Sequence, residues 1–152
     1  PKLTFNGGSS VLISDEKNTQ SINYRFADKS VITSPSKLIE IPDKEVTFTL
    51  TASAFLKLQK GITALALPDV TVQGKDGNLL LTATDKKNKT SNNVSILLGK
   101  TDKIFSAHFK AENFKIIPGD YDVTISKQKV SHFINRNFKL QYWIALEPDS
   151  EF

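Results

Sequence analysis

Apolar and polar residues alternate with a period of two along most of the chain, a pattern typical of β-strands. The clearest example is 45–50, where Val46, Phe48 and Leu50 alternate with two threonines. Clusters of turn-forming residues, such as Asn6-Gly7-Gly8, separate the alternating segments. The pattern predicts strands over 2–5, 10–14, 20–26, 45–50, 65–73, 78–84, 92–98, 103–109, 121–126, 130–133 and 138–146.

Two segments change to helical spacing. In 51–61 the apolar residues Ala52, Phe55, Leu56 and Leu58 form one stripe. A threonine at the start can cap this predicted helix, and Gly61 can end it in the left-handed conformation. A second, shorter helix is predicted over 110–116, where a Pro-Gly pair ends it. From residue 45 the predicted order is strand, helix, four strands, helix, three strands, which indicates an α+β fold with both helices packed on one face of antiparallel sheets.

The segment 27–44 has no clear periodicity and contains Pro35 and Pro42. Proline and the residue before it favour extended backbone, so this segment is predicted to be a connector. It divides the chain into a β-meander over 1–26, the connector over 27–44 and the α+β domain over 45–152.

The charge of the chain is concentrated in this last region. The net charge is +4, and 45–146 carries 14 basic against 8 acidic residues. All 20 cations except Arg25 and Arg136 are lysines. Lysine acts as a point charge that attracts phosphate without reading bases, although excess lysine can also serve only solubility. No apolar run approaches the roughly 20 residues of a membrane helix.

The sequence lacks the residue patterns that are typical of enzyme active sites. It has no cysteine, which excludes disulfides, thiol nucleophiles and cysteine-ligated metals. His108 and His132 lack metal-ligand spacing, and no phosphate-binding loop or nucleophile elbow is present. Asp120 and Asp122 follow a turn, where solvent exposure is expected rather than general acid–base work. We therefore expect no enzymatic activity, no metal and no cofactor.

The predicted helices place lysines together. Lys57 and Lys60 share one helix face with Ser53, opposite the apolar stripe. Lys110 and Lys115 bracket the second helix. If both helices cover the same side of one sheet, four lysines gather on one surface; the alternative is that each is an ordinary solvated side chain.

Three segments resemble the sliding DNA clamps, most closely the DNA polymerase processivity factors of T-even-type tailed bacteriophages. They are FKAENFKIIPGDYDV at 109–123, YWIALEPDSEF at 142–152 and KLQKGI at 57–62. The resemblance covers 45–152 and, more faintly, 1–26. A clamp subunit of this kind has two such domains, so the resemblance implies that 1–26 is a partial N-terminal clamp domain lacking its amino-terminal half.

The resemblance also implies a function. Such clamps form a head-to-tail homotrimer when full length, encircle duplex DNA without sequence preference, and bind the DNA polymerase and the clamp loader in the cytoplasm of the infected bacterial host. By similarity Lys57, Lys60, Lys110 and Lys115 face the DNA. The chain by itself is expected to be a monomer or a non-ring assembly.

Clamps bind client peptides in an apolar pocket, for which the resemblance suggests residues of the connector and the carboxyl end. The candidates are Leu38, Ile39, Ile41, Ile144, Leu146 and Pro148, and packing in the core is the alternative for them. A different interpretation of the whole chain is a non-enzymatic, β-rich structural or adhesion module of a phage or surface protein, in which the lysines only confer solubility.

Overall fold

The computed structural model describes residues 1–33, 40–41 and 43–152, and the chain divides into the units Pro1–Leu38 and Ile39–Phe152. In the first unit, β1 (Lys2–Asn6), β2 (Ser10–Ser14) and β3 (Ser21–Arg25) form an antiparallel meander in the order β1-β2-β3. Gly7 and Gly8 form the first turn with φ of 54° and 78°, a conformation that glycine adopts without steric penalty. A 3-10 turn follows over Lys29–Val31.

One face of this meander is apolar across all three strands. The strand register aligns its side chains in two rows, Phe5–Val11–Tyr24 and Leu3–Ile13–Ile22. Phe5 and Ile22 are 69% and 64% exposed. An uncovered apolar face of this kind is unusual in a folded domain, because apolar surface is normally removed from water by a second layer.

The second unit contains eight strands and one α-helix among its described residues. Its elements are β4 (Val46–Leu50), α1 (Ala52–Leu65), β5 (Asp69–Lys75), β6 (Asn78–Thr84), β7 (Asn93–Lys100), β8 (Phe105–Lys110), β9 (Tyr121–Ile125), β10 (Val130–Asn135) and β11 (Gln141–Ala145). They form two four-stranded antiparallel sheets, ordered β11-β10-β9-β4 and β7-β6-β5-β8. The predicted α+β class is confirmed. None of the described helices is long and apolar enough to cross a membrane.

An aromatic cluster fills the core of this unit. Phe55 of α1 packs against Phe114 and Tyr121, with ring centroids 6.4 and 6.3 Å apart. Phe109 and Phe133 meet Phe114 edge to face at 5.3 and 5.8 Å. Each such ring buries about 150–250 Å². The cluster therefore anchors α1, β8, β9 and β10 to one another.

The first helix is longer than the sequence predicts. Gly61 remains helical instead of ending α1, which continues to Leu65 and ends with Ala66 in the left-handed conformation at φ 51°. A Cβ atom built on Gly61 would lie 2.5 Å from Val94 Cγ2 of β7. The glycine thus permits close approach of the helix to the sheet, and β5 begins only after Pro68, at Asp69.

The second predicted helix is wrong. Residues 110–116 contain only a 3-10 turn over Ala111–Phe114. Lys110 still belongs to β8, and the two β-branched residues Ile116 and Ile117 precede Pro118, which disfavours helical backbone. The last strand is also shorter than predicted, because the backbone amides of Asn137 and Phe138 donate to the Asn135 side chain in a turn.

Candidate nucleic-acid interface

The outward face of α1 carries two lysines. Thr51 caps the helix by accepting a hydrogen bond from the Ala54 amide at 3.2 Å. Phe55 and Leu58 are fully buried, which fixes the rotation of the helix about its axis. Lys60 follows Phe55 by five residues, or about 140° around the axis at 3.6 residues per turn. Lys57 lies three residues earlier on the same exposed face.

The 3-10 turn lies beside α1. The Gln59 side-chain amide donates to the Phe114 carbonyl at 3.2 Å, and the Ala111 amide donates to the Pro68 carbonyl at 2.8 Å. Between the two elements is a cavity of about 620 Å³ whose walls include Lys110 and Lys115. The 3-10 turn and the carboxyl-terminal half of α1 therefore share one side of the unit, although only one of them is an α-helix.

Among the residues that the structure describes, three of the four candidate lysines are exposed cations without a carboxylate partner. Lys57, Lys60 and Lys115 are exposed, and among the described residues none of them forms a salt bridge. The helix itself contains no aspartate or glutamate. Their charge is consequently available to an anion in solution.

Lys110 is different. Its ammonium group lies 3.2 Å from Asp69 Oδ1 and 3.4 Å from Glu147 Oε2. The hydrogen bond to Asp69 is the main reason that the pKa of Lys110 is raised. Asp69 is buried at 2% exposure, so it requires a cation close by. The pairing of Lys110 with Asp69 is not predictable from local sequence, since the two residues are 41 positions apart.

The histidines and the aspartate pair have structural partners. His108 Nδ1 lies 2.9 Å from the Thr71 hydroxyl, and burial lowers the pKa of His108. His132 stacks on Trp143 with ring centroids 4.6 Å apart. Asp120 accepts a hydrogen bond from the Ala52 amide at 2.7 Å. Within the described ranges, no three His, Asp or Glu side chains gather as a metal site requires.

Comparison with known proteins identifies this architecture. The family described as "gp45 sliding clamp, C terminal" matches residues 47–148, two thirds of the chain. The chain belongs to the gp45 sliding clamp family. All four candidate lysines lie inside the matched segment of this family member.

Two curated relatives extend the similarity beyond the matched domain. This sliding-clamp chain is 26% identical to the sliding clamp of Vibrio phage KVP40, over 90% of the chain and 64% of the relative. It is also 26% identical to the sliding clamp of Escherichia phage RB69, over 98% of the chain and 67% of the relative. The chain thus spans about two thirds of the length of these relatives.

Solved structures show the same fold at lower identity. A putative DNA polymerase III beta subunit from Eubacterium rectale matches with a TM-score of 0.52 and 14% identity, over 96% of this chain and 40% of that one. Proliferating cellular nuclear antigen from Entamoeba histolytica matches with a TM-score of 0.53 and 21% identity, over 91% of this chain and 60% of that one. At these identities the likeness concerns the fold alone.

The candidate peptide-binding residues occupy unequal positions in this clamp domain. Ile144 and Leu146 are buried at 6% and 7% exposure, so they pack in the core. Ile144 also forms part of the floor of a shallow cavity of about 320 Å³ beside β11. Pro148 is exposed and Ile41 is half-buried, whereas Leu38 and Ile39 lie outside the described residues.

Proposed function

We propose that this chain is part of a non-enzymatic DNA polymerase processivity factor, and that α1 lies against the phosphate backbone of duplex DNA. The observation that carries the proposal is the outward face of α1, where Lys57 and Lys60 stand opposite the buried Phe55 on a helix without acidic residues. Membership of the sliding clamp family supports duplex DNA as the ligand of this surface. Lys115, on the neighbouring turn, is a further phosphate contact in the proposal, and Lys110 contributes less because carboxylates hold its charge.

The chemistry of lysine suits a protein that moves along DNA. Contacts to phosphate fix a protein on the duplex but carry no sequence information. With only Arg25 and Arg136 available, the chain has few groups for bidentate contacts to guanine. Binding through Lys57 and Lys60 is therefore independent of sequence and salt-dependent, with a slope of about −0.9 per phosphate neutralised.

Topology completes the proposed function. In the longer protein, three subunits form a head-to-tail ring around the DNA, and the clamp loader closes it. An asymmetric interface of this type closes into a ring when its rotation permits. β7 is an edge strand whose Leu97 is 60% exposed, and such an edge invites a strand from a neighbouring subunit. The polymerase, tethered to the ring, then stays at high effective concentration near the primer end in the infected bacterial cytoplasm.

The first unit fits a partial N-terminal clamp domain in this proposal. Its apolar face, with Phe5 and Ile22 at the two outer strands, needs a covering layer. The relatives are about half as long again as the aligned region, which is enough chain to supply that layer. Leu38, Ile39, Ile41 and Pro148 remain proposed contacts for client peptides, and Ile144 can contribute through the cavity beside β11, whereas the buried Leu146 supports the core.

The test is primer extension by the cognate polymerase with its clamp loader and the full-length protein. The double variant Lys57→Glu/Lys60→Glu should shorten the products, and it should flatten the salt slope of duplex binding by about 1.8 because two phosphate contacts are lost. Lys75→Glu/Lys100→Glu is the matched control, since Lys75 is about 20 Å along β5 from the Asp69 end, at 3.3 Å per residue.

Two outcomes would contradict the proposal. Equal product lengths for the two double variants would remove the phosphate-facing role of α1, provided that circular dichroism shows both proteins folded. Product lengths that do not respond to the wild-type protein at all would instead favour the β-rich structural or adhesion module.

A further inference from the structure

The last six residues form a strap along the outer edge of β8. This strap comprises residues 147–152. The amide of Ser106 donates to the Glu151 carbonyl and the amide of Glu151 to the Ser106 carbonyl, both at 2.9 Å. The Glu147 amide donates to the His108 carbonyl at 2.8 Å, and the His108 amide donates to the Ser150 hydroxyl at 3.0 Å. The outward backbone groups of β8 at Ser106 and His108 are thus already paired.

The strap also brings acidic side chains to two lysines. Glu147 lies 3.4 Å from Lys110, and Asp149 lies 2.7 Å from Lys86. Both lysines already contact the buried Asp69, Lys110 through its ammonium group at 3.2 Å and Lys86 through its backbone amide at 3.1 Å. These five groups hold two cations and three carboxylates, a net charge of −1; without the two strap carboxylates it would be +1.

Lys110 connects this cluster to the surface that faces phosphate in the proposed function. Lys110 is one of the residues that line the cavity between α1 and the 3-10 turn, as is Lys115. A phosphate oxygen that reaches this cavity and the Glu147 carboxylate require the same ammonium group. Both acceptors are anions, so Glu147 neutralises part of the charge that attracts phosphate and repels a phosphate oxygen that approaches Lys110; the two therefore compete for the ammonium group.

We propose that the strap is an internal competitor of the DNA backbone. While the strap is docked on β8, Glu147 binds Lys110 and Asp149 binds Lys86. When the strap leaves β8, these two cations become available to phosphate, and the affinity for duplex DNA rises. The inference rests on the proposed function of α1 as the phosphate-facing element. A partner that adds a strand to β8 must displace the strap, because the Ser106 and His108 backbone groups are occupied.

The experiment measures binding of a 30-base-pair duplex by filter retention between 50 and 200 mM NaCl. Glu147→Gln/Asp149→Asn keeps the shapes of the strap side chains and removes their charge. One or two additional cations should steepen the salt slope by about 0.9 to 1.8, so that the variant loses about 3- to 12-fold more affinity than wild type over this range. At 50 mM the variant should bind more tightly than wild type.

The control changes the net charge by the same amount elsewhere. Asp76→Asn/Asp102→Asn neutralises two exposed aspartates in turns of the β7-β6-β5-β8 sheet, and neither forms a salt bridge among the described residues. An equal steepening in this control would overturn the proposal, because net charge would then explain the effect. An unchanged slope in Glu147→Gln/Asp149→Asn would overturn it as well.

Hydrogen exchange measures the docking of the strap independently of DNA binding. The Ser106 amide should exchange faster in Glu147→Gln/Asp149→Asn than in wild type, and duplex DNA should accelerate its exchange in wild type. If wild type binds the duplex but the exchange rate of its Ser106 amide does not change, competition between the strap and DNA is refuted. If wild type does not bind the duplex at 50 mM NaCl, the proposed function itself fails, and the Ser106 exchange still reports whether the carboxylates hold the strap.

Discussion

Gly61 is the position at which helix α1 is most sensitive to a single methyl group. Glycine inside an exposed helix is normally a weakness, and replacement by alanine stabilises such a helix by about 1 kcal/mol. Here the added Cβ would lie 2.5 Å from Val94 Cγ2 and 3.1 Å from Val94 Cβ. Val94 cannot rotate away easily, because a β-branched side chain has few χ1 rotamers.

Two opposing effects set the expected magnitude. Forcing a methyl group into a packed contact costs about 1–3 kcal/mol, and the helix gains about 1 kcal/mol. We therefore expect Gly61→Ala to lower the free energy of unfolding of the second unit by up to about 2 kcal/mol. In a Val94→Ala background the contact disappears, and the same substitution should raise the free energy of unfolding by up to about 1 kcal/mol.

Urea unfolding followed by circular dichroism at 222 nm measures this cycle, because α1 is the one α-helix among the described residues. The coupling between Gly61→Ala and Val94→Ala should be about 1–3 kcal/mol, the size of the packing conflict. A stabilisation of about 1 kcal/mol by Gly61→Ala in the wild-type background would refute the reasoning. It would mean that α1 is not held against β7 at this point, and the orientation of its lysines would lose its structural basis.

Three further substitutions test the core, the titration of a histidine and the buried carboxylate. Phe55→Ala should lower the free energy of unfolding by about 3–5 kcal/mol in urea titrations, since it empties the centre of the aromatic cluster. Burial lowers the pKa of His108 below its ordinary 6.5, so the unfolded chain binds the proton more readily than the folded protein does. The free energy of unfolding therefore falls as the pH drops below 6.5. His108→Gln should reduce this loss, measured as the difference between the urea midpoints at pH 7.0 and 5.5. Lys110→Met should reduce the urea midpoint more than Lys115→Met, because only the former leaves the buried Asp69 without its cation, and equal midpoints would refute the structural role of that pair.

The local pattern of apolar and polar residues is sufficient to predict most strands and the start of α1. Period-two alternation predicted β6 over 78–84 with its observed bounds, and the apolar stripe predicted the buried side of α1 correctly at Phe55 and Leu58. These features depend on neighbours within a few residues in sequence. The same is true of Thr51, whose capping role follows from its position before the stripe.

The errors arose where distant residues decide the local conformation. The local sequence predicts that Gly61 ends the helix, whereas the close approach of β7 at Val94 explains why a glycine is needed inside it. The segment 110–116 had apolar residues at spacings that suit a helix, yet Phe114 is drawn into the aromatic cluster by contacts with Phe109 and Phe133. Neither partner surface is visible in a short sequence window.

The candidate site shows the same division. Exposure of Lys57 and Lys60 follows from helical periodicity alone, and the structure places both as expected on the outer face of α1. The ion pairs of Lys110 join strands β8 and β5 and the carboxyl-terminal segment, so the sequence could not distinguish it from the exposed lysines. An aspartate at the start of an otherwise apolar strand, Asp69, was the one available sign of a buried charge.

The stacking of Trp143 on His132 has a practical consequence for folding studies. Trp143 is the single tryptophan of the chain, and it lies in the second unit across the β10–β11 ladder. Its fluorescence emission will therefore follow the opening of that strand pair and will not report unfolding of the meander of residues 1–26. A cooperative emission curve would describe only one of the two units, and unfolding of the other must be followed through Tyr24 or the amide circular dichroism of its strands.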